Sequence, residues 1–262
     1  MRQQGHLQTQ LVPAESVLSL RTRHREEMNC QIVHDSIHRR PGWTVTYRLD
    51  AGGNIVGFGS VAVAGPWKNQ PTLLEFYLLP EHRGHAFALF ETLLAAAKPQ
   101  RFEIQSNDVL PFIMAHTYGR DIASEKIVFR DAVISTLPNN GVLLRRTTSD
   151  ADDRRCQEQR SGSSDWTLEL NGVAIGRGGF AFHYNLPYAD VYMEIDEPYR
   201  QRGFGSYFVQ ELKRECYERG AVPAARCSPE NAASFRTLQR AGFVPFAHIL
   251  IGAFHRQGNA GI

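Results

Sequence analysis

Cysteine is scarce in this chain of 262 residues: Cys30, Cys156, Cys216 and Cys227 are the only four, and no two have the spacing of a metal-binding pair. That excludes a disulfide scaffold and predicts reduced thiols in a cytoplasmic protein. Long apolar runs are missing as well. The longest near the C-terminus, Phe243 to Phe254, is broken by Pro245 and His248, so no membrane span is expected. The first ten residues lack the apolar block of a secretory signal. Charge of one sign is equally thin. The formal net charge is +2, and the basic cluster Arg21, Arg23 and Arg25 runs straight into Glu26 and Glu27. Without a continuous basic stripe, a nucleic-acid partner is not expected. The one helically spaced histidine pair, His34 and His38, has no third ligand nearby; it reads as a solvated helix face, and no metal is expected.

With 42% hydrophobic and 21% charged residues, the chain has the composition of a folded globular protein. Its organisation is set by an internal repeat. The loop Arg200 to Gly205 (RQRGFG) has a worn copy at Glu81 to Ala86 (EHRGHA), and an offset of 119 places Gly203 on Gly84. The same offset superposes Gly176 on Gly57, Trp166 on Tyr47, Glu194 on Glu75, Arg202 on Arg83 and Arg200 on Glu81. A period this long predicts two tandem domains rather than a solenoid. The junction is expected at Leu137 to Gly141 (LPNNG), giving domains at 1–139 and 140–262.

Each half reads as a hairpin (Gly42 to Val61; Asp165 to Phe180), a further strand (Leu73 to Leu79; Asp190 to Asp196), the glycine loop, and a helix. The first half has about 30 residues, Pro13 to Gly42, in front of its hairpin, room for two helices; the second has about 18, Thr148 to Asp165, room for one short one. A helix is predicted from Asn231 to a stop at Gly242. A strand, RQRGFG and a helix bring free backbone N–H groups and a helix N-terminus to one point, where Gly203 and Gly205 admit a ligand and Arg200 and Arg202 add positive charge. The lysine of a phosphate-binding P-loop and the third glycine of a dinucleotide fingerprint are both absent.

RQRGFG and the segment Cys227 to Phe243 (CSPENAASFRTLQRAGF) resemble the acyl-CoA loop and the following helix of the GCN5-related N-acetyltransferase (GNAT) superfamily. The resemblance covers the chain from about Val142 onward, and reaches the first half only through the repeat. It implies an α/β protein (an α+β mixed sheet) of two tandem GNAT-like domains, each a twisted, mainly antiparallel sheet flanked by helices, the first copy degenerate. It implies acetyl-CoA as acyl donor, with the backbone of Arg202, Gly203, Phe204, Gly205 and Ser206 on the pyrophosphate, flanked by Arg200 and Gln201. Ile195 and Asp196 would hold the pantetheine, and Asn231, Ser234 and Phe235 the cofactor arm.

The implied reaction is direct transfer to a primary amine of a small molecule or protein, in a monomer with an internal pseudo-dimer or in a homodimer. Such an amine has to lose a proton, so a carboxylate base is expected. Glu194 is the first candidate, with Asp190, Tyr192 and Asp196 behind it on or near the same strand. Cys227 reads as structural. Leu238 stands where many members carry a proton-donating tyrosine, which leaves the acid to water, Tyr192 or Tyr199 and keeps open a catalytically lapsed acyl-CoA sensor or scaffold.

Overall fold

The structure, a computed structural model, describes residues 6–147, 149–159 and 162–255. Part of the N-terminal ten-residue block, Thr148 and Arg160–Ser161 in the short segment before the second hairpin, and the last seven residues lie outside the described residues. In chain order the regular elements are β1 (Leu7–Val12), α1 (Leu18–Met28), β2 (Thr44–Ala51), β3 (Asn54–Ala62), β4 (Thr72–Leu78), α2 (Ala86–Ala97), β5 (Arg101–Gln105), α3 (Val109–Tyr118) and β6 (Gly119–Asp131). There follow β7 (Val142–Arg146), α4 (Asp150–Gln159), β8 (Ser163–Leu170), β9 (Val173–Ala181), β10 (Tyr188–Ile195), α5 (Phe204–Glu218), β11 (Val222–Cys227), α6 (Ala232–Arg240) and β12 (Phe243–Phe254).

These elements pack as two units that are not contiguous halves of the chain. The first comprises Met1–Asn29, Ile37–Glu125 and His248–Ile262; the second comprises Cys30–Ser36 and Lys126–Ala247. The Leu137 to Gly141 segment lies within the second unit. The reason is an exchange of final strands. In the first unit, β1 to β5 pair in order and the last half of β12 closes the sheet, with Ile249 opposite Gln105 and Ala253 opposite Arg101. In the second, β7 to β11 pair in order and the last half of β6 closes it, with Ile127 opposite Cys227 and Arg130 opposite Ala224. Each unit takes its sixth strand from the other half of the sequence.

Both sheets are antiparallel except at one place. β4 and β5 run parallel through only Thr72–Leu73 with Arg101–Phe102, and β10 and β11 only through Tyr188–Asp190 with Val222–Ala224. Beyond those pairs the strands continue without pairing each other, so each sheet parts along the C-terminal stretch of its fourth strand. Strands that stop exchanging hydrogen bonds leave backbone donors and acceptors that another chain-like molecule can satisfy.

The second unit's core is built from alternate residues of β10 (Val191, Met193 and Ile195) and from one stripe of α5, where Phe204, Phe208, Val209, Leu212 and Cys216 recur at helical spacing. Phe208 is fully buried, and burying a side chain of that size stabilises by about 2 kcal/mol. Lys213 of the same helix is buried. Its Nζ lies 2.5 Å from the carboxylate of Asp131 and donates to the carbonyls of Ala241 (2.7 Å) and Val133 (3.0 Å). That single ammonium ties the end of the exchanged strand β6 to the end of α6.

Candidate active site

The glycine loop of the second unit leaves β10 at Ile195, passes a short 3-10 turn at Glu197–Tyr199, and enters α5 through Gly203. Gly203 has φ +85° and ψ −9°, and Gln201 has φ +60°. Two left-handed residues so close together turn successive N–H groups toward the same side, in front of a helix N-terminus where four N–H groups have no partner within the helix. A Cβ on Gly203 would find nothing nearer than Asn140 Nδ2 at 3.8 Å, so the space beside it is open. Gly205 serves differently. A Cβ there would meet Met193 at 3.2 Å, Thr237 at 3.4 Å and Ile195 at 3.6 Å, so its bare backbone lets α5 lie close on β10 and α6.

Arg200 and Arg202 are only partly the free cations that their sequence positions implied. Arg200 Nε donates to the carbonyl of Ile195 at 2.8 Å, clasping the loop to the strand it left, and the Arg202 guanidinium lies 5.1 Å above the Phe204 ring. Asn231 caps α6, its Oδ1 accepting from the N–H of Ser234 at 3.0 Å, and Phe235 packs half-buried against the core. Asp196 is exposed, and its N–H donates to the carbonyl of Ile175 at 2.9 Å. Leu238 is buried in the core and brings no proton donor to its position. Cys227 is buried, and burial pushes its thiol up; Cys216 is pushed by burial to about 12. None of the four cysteines is in a disulfide.

Asp190, Tyr192 and Glu194 project from the face of β10 opposite α5, and their surroundings differ sharply. Glu194 is exposed opposite Arg177, which donates to it at 2.9 Å and holds its carboxyl below the usual range. Tyr192 reaches across Gly179 of β9 to the carboxylate of Asp165 on β8; burial, then that carboxylate, push the phenol to about 12. A side chain at Gly179 would put its Cβ 1.9 Å from the Ser164 carbonyl and 3.0 Å from the Tyr192 hydroxyl, so glycine keeps this crossing open. Asp190 is the deepest of the three. It is the last β10 residue paired with β11, at the point where the sheet parts. His183 Nε2 lies 3.0 Å and Arg226 Nε 3.5 Å from its Oδ2, and the fully buried Tyr184 phenol beside it is pushed up first by burial and then by the same carboxylate.

His183, Tyr184 and Arg226 were not singled out from the sequence. His183 and Tyr184 lie in the connection between β9 and β10, and Arg226 in β11. The one available signal was a polar cluster, His183 to Asn185, following an apolar strand. Nothing in the chain order links that loop to Cys30–Ser36, yet this segment packs in the same unit. Asn185 accepts from the N–H of Ile32 at 2.6 Å and donates to the carbonyl of Cys30 at 3.1 Å, Gln31 donates to the carbonyl of Phe129 at 2.6 Å, and Ser36 N–H donates to the carbonyl of His183 at 3.2 Å.

The worn loop of the first unit differs in register from the expected alignment. Gly57 faces Leu78 whereas Gly176 faces Ile195, so the offset of 119 holds on the third strand of each sheet but falls to 117 on the fourth. The longer connection and the register shift after Ser60 in the β3–β4 ladder account for the change. Arg83 therefore corresponds to Arg200, and it makes the same clasp, Nε to the carbonyl of Leu78 at 3.3 Å. Ala86 takes the place of Gly203 and Ala88 that of Gly205. Ala86 is right-handed helical, φ −57° and ψ −48°, and the 3-10 turn Pro80–His85 runs directly into α2 with no left-handed residue.

The corrected register also pairs Glu75 with Tyr192 rather than with Glu194. Glu75 is buried with Ser60 opposite it. Arg21 of α1 donates to Ser60 at 3.0 Å and to Glu75 at 3.3 Å, and His38 Nε2 lies 3.0 Å from Glu75. Burial by itself would raise the Glu75 carboxyl, but His38 and Arg21 outweigh it and hold it well below the usual range. His34 is buried and the His38 side chain is covered, in contrast to the solvated face expected of them; His38 is drawn to this carboxylate. No group of three or more His, Cys, Asp or Glu among the described residues is placed to hold a metal ion, and no helix among them is long and apolar enough to cross a membrane.

The model of the acetyltransferase (GNAT) family matches residues 138–243. No curated protein matches the chain. Among solved structures, a GNAT-family acetyltransferase from Colwellia psychrerythraea is similar at TM-score 0.71 and 13% identity, covering 95% of this chain and 100% of that one. A tandem GNAT protein from the clavulanic acid biosynthesis pathway is similar at TM-score 0.58 and 13% identity, covering 95% and 98%. A GCN5-related N-acetyltransferase from Sphaerobacter thermophilus is similar at TM-score 0.57 and 14% identity, covering 97% and 96%. Likenesses at such identity speak for the fold, and they extend over both units. The stretch 138–243, which carries the left-handed glycine loop and the parted β10 and β11, matches the GNAT acetyltransferase family, which supports acyl transfer in general, and the fold of the chain as a whole is that of GNAT proteins.

Proposed function

We propose that this protein transfers an acetyl group from acetyl-CoA to a primary amine of a small molecule or protein, by direct transfer in a ternary complex, at the second unit. The observation that carries the reading is Gly203: a left-handed residue with open space beside it, at the N-terminus of α5, following the end of β10 that β11 no longer pairs. Acetyl-CoA, when bound, supplies an acetyl group activated as a thioester.

The rest is the work of the chain. The N–H groups of Arg202 to Ser206 and the dipole of α5 favour a pyrophosphate at the loop. The unpaired edge of β10 down to Ile195 and Asp196 offers backbone partners to an extended, amide-containing arm. Asn231, Ser234 and Phe235 at the start of α6 flank that arm. Asp190, Tyr192 and Glu194 share the other face of β10, where an amine would approach.

Calorimetry on the full chain with acetyl-CoA, followed by turnover on a panel of small and peptide amines, tests the reading. Binding together with turnover on at least one amine is the expected result. Buried Leu238, in place of a proton-donating tyrosine, is the observation that favours a second reading, a binding protein without turnover. Tight binding with no product on any acceptor would support that one, and absence of binding would sink both.

A further inference from the structure

We propose that His183 is the base that takes the proton of the acceptor amine, through Nδ1, while Asp190 holds its Nε2 side. The inference rests on acyl transfer to an amine at the second unit, and it names a residue for the proton that such a reaction must remove. Three observations converge on it. The His183 side chain is about a quarter exposed, so one ring edge is reachable, and its Nε2 is 3.0 Å from a carboxylate oxygen of Asp190, itself largely buried. Asp190 marks the last pair before β10 and β11 separate, so the dyad sits at the head of the opening along which the acyl donor would lie. The loop that carries His183 is fixed from outside its own sequence neighbourhood, by Ser36 N–H on the His183 carbonyl and by Asn185 on Cys30 and Ile32.

The alternatives on β10 are worse placed for the task. Glu194 lies in solvent under the Arg177 guanidinium, which stabilises its anion and weakens it as a base. Tyr192 keeps its proton, with the phenol held on Asp165. A neutral imidazole backed by a buried carboxylate instead accepts a proton and has the resulting charge matched at once. The charged and titratable groups facing His183 are Asp190 from β10, Arg226 from β11 beyond that carboxylate, and Tyr184 from its own loop, whose ring meets the imidazole edge-on at 4.6 Å between centroids. The packed segment Cys30–Ser36 adds buried His34 and Asp35 to the same unit.

In the step itself, the amine nitrogen forms the new C–N bond and its proton passes to His183 Nδ1. The electron pair of the broken C–S bond leaves on sulfur, and His183 later returns to neutral by giving its proton to water.

The test uses the full chain and His183→Gln, which keeps the approximate volume, with acetyl-CoA affinity, turnover and the pH profile of kcat/KM measured together. The expected result is unchanged acetyl-CoA affinity, turnover lower by about 100-fold or more, and loss of the rising limb of the profile. Added imidazole should restore part of the rate to His183→Ala. Asp190→Asn, which keeps the shape but removes the charge behind the imidazole, should lower turnover while leaving acetyl-CoA affinity unchanged.

If His183→Gln retains the rate and the limb, the base lies elsewhere, while binding and turnover by the native chain leave the acetyl-transfer reading standing. If the variant also loses acetyl-CoA affinity, His183 is structural and the assignment fails. If the native chain turns over no amine, the parent reading falls and this inference with it.

Discussion

One row of three residues crosses each sheet at the same place, and the two rows have opposite characters. In the first unit it is Thr46, Ser60 and Glu75, buried and locked by the Arg21 guanidinium of α1 and by His38. In the second it is Asp165, Gly179 and Tyr192, with no side chain in the middle and a phenol that remains 40% exposed. The loops that follow diverge in the same sense. Both keep an arginine clasping the preceding strand, Arg83 on Leu78 and Arg200 on Ile195, but only the second places a left-handed glycine at the helix N-terminus. The arginine clasp is thus common to both turns, while the left-handed glycine belongs to the one loop proposed to bind the donor. A duplicated loop can lose its left-handed glycine and keep its fold, because alanine in a right-handed conformation continues a helix as readily as glycine in a left-handed one interrupts it.

The largest test of this comparison is to separate the units. A chain cut to Asn140–Ile262 lacks the Lys126–Asp131 strand that closes the second sheet, the Asp131 carboxylate that neutralises buried Lys213, and the Cys30–Ser36 segment that anchors Asn185. It should fail to give a cooperative thermal transition; a sharp transition together with native acetyl-CoA affinity would show that the borrowed segments are dispensable.

Next is the glycine itself. Gly203→Trp should weaken acetyl-CoA binding by about 100-fold or more, because a side chain is strained at φ +85° and fills the space beside the N–H groups. Ala86→Gly in the first unit should leave the affinity unchanged. Calorimetry reads both, and an equal loss in the two would erase the distinction between the loops.

The rows differ in stability rather than in binding. Glu75→Leu strands the buried Arg21 and should cost about 3 to 5 kcal/mol in denaturant unfolding, whereas Glu194→Gln, on the solvated face, should leave the unfolding midpoint unmoved. Glu75 has a depressed carboxyl, so its contribution is present above the ordinary glutamate value of 4.5 and is lost as pH falls from there toward the folded-state value. His24 is opposite in sign. Burial would lower it, but Asp108 at 2.8 Å raises it on balance; its contribution is present below 6.5 and is lost as pH rises through its raised folded-state value. Unfolding free energy measured against pH should therefore fall off on both sides, and Glu75→Leu should flatten the acid side and, because Glu75 helps to raise His24, the alkaline side to a lesser degree.

The smallest effect belongs to the clasps. Arg83→Ala and Arg200→Ala each remove one backbone-directed hydrogen bond and should cost about 1 kcal/mol, with acetyl-CoA affinity reduced only in Arg200→Ala.

Much of this was legible along the chain, and the reasons are local. β10 and α5 carry their periods openly, apolar alternation in Val191, Met193 and Ile195, and a helical stripe from Phe204 to Cys216. Gly203 announces a conformation that few other residues adopt. The offset between the repeats was read correctly for the hairpins and by two residues incorrectly beyond them, because a bulge and a longer connection change the register without marking the sequence at the strand itself. His38 looked like a surface histidine since its partner, Glu75, lies on another strand far along the chain.

The sequence by itself determined the elements, the repeat, and the glycine loop, all of which depend on neighbours within a few residues or on a period. Tertiary structure alone decided which strand closes each sheet, which unit receives Cys30–Ser36, and that His183, Asp190 and Arg226 meet where β10 and β11 part. Those are pairings between segments distant along the chain, fixed by hydrogen-bond register and by the need to match buried charge, and neither requirement leaves a periodic trace in the order of residues.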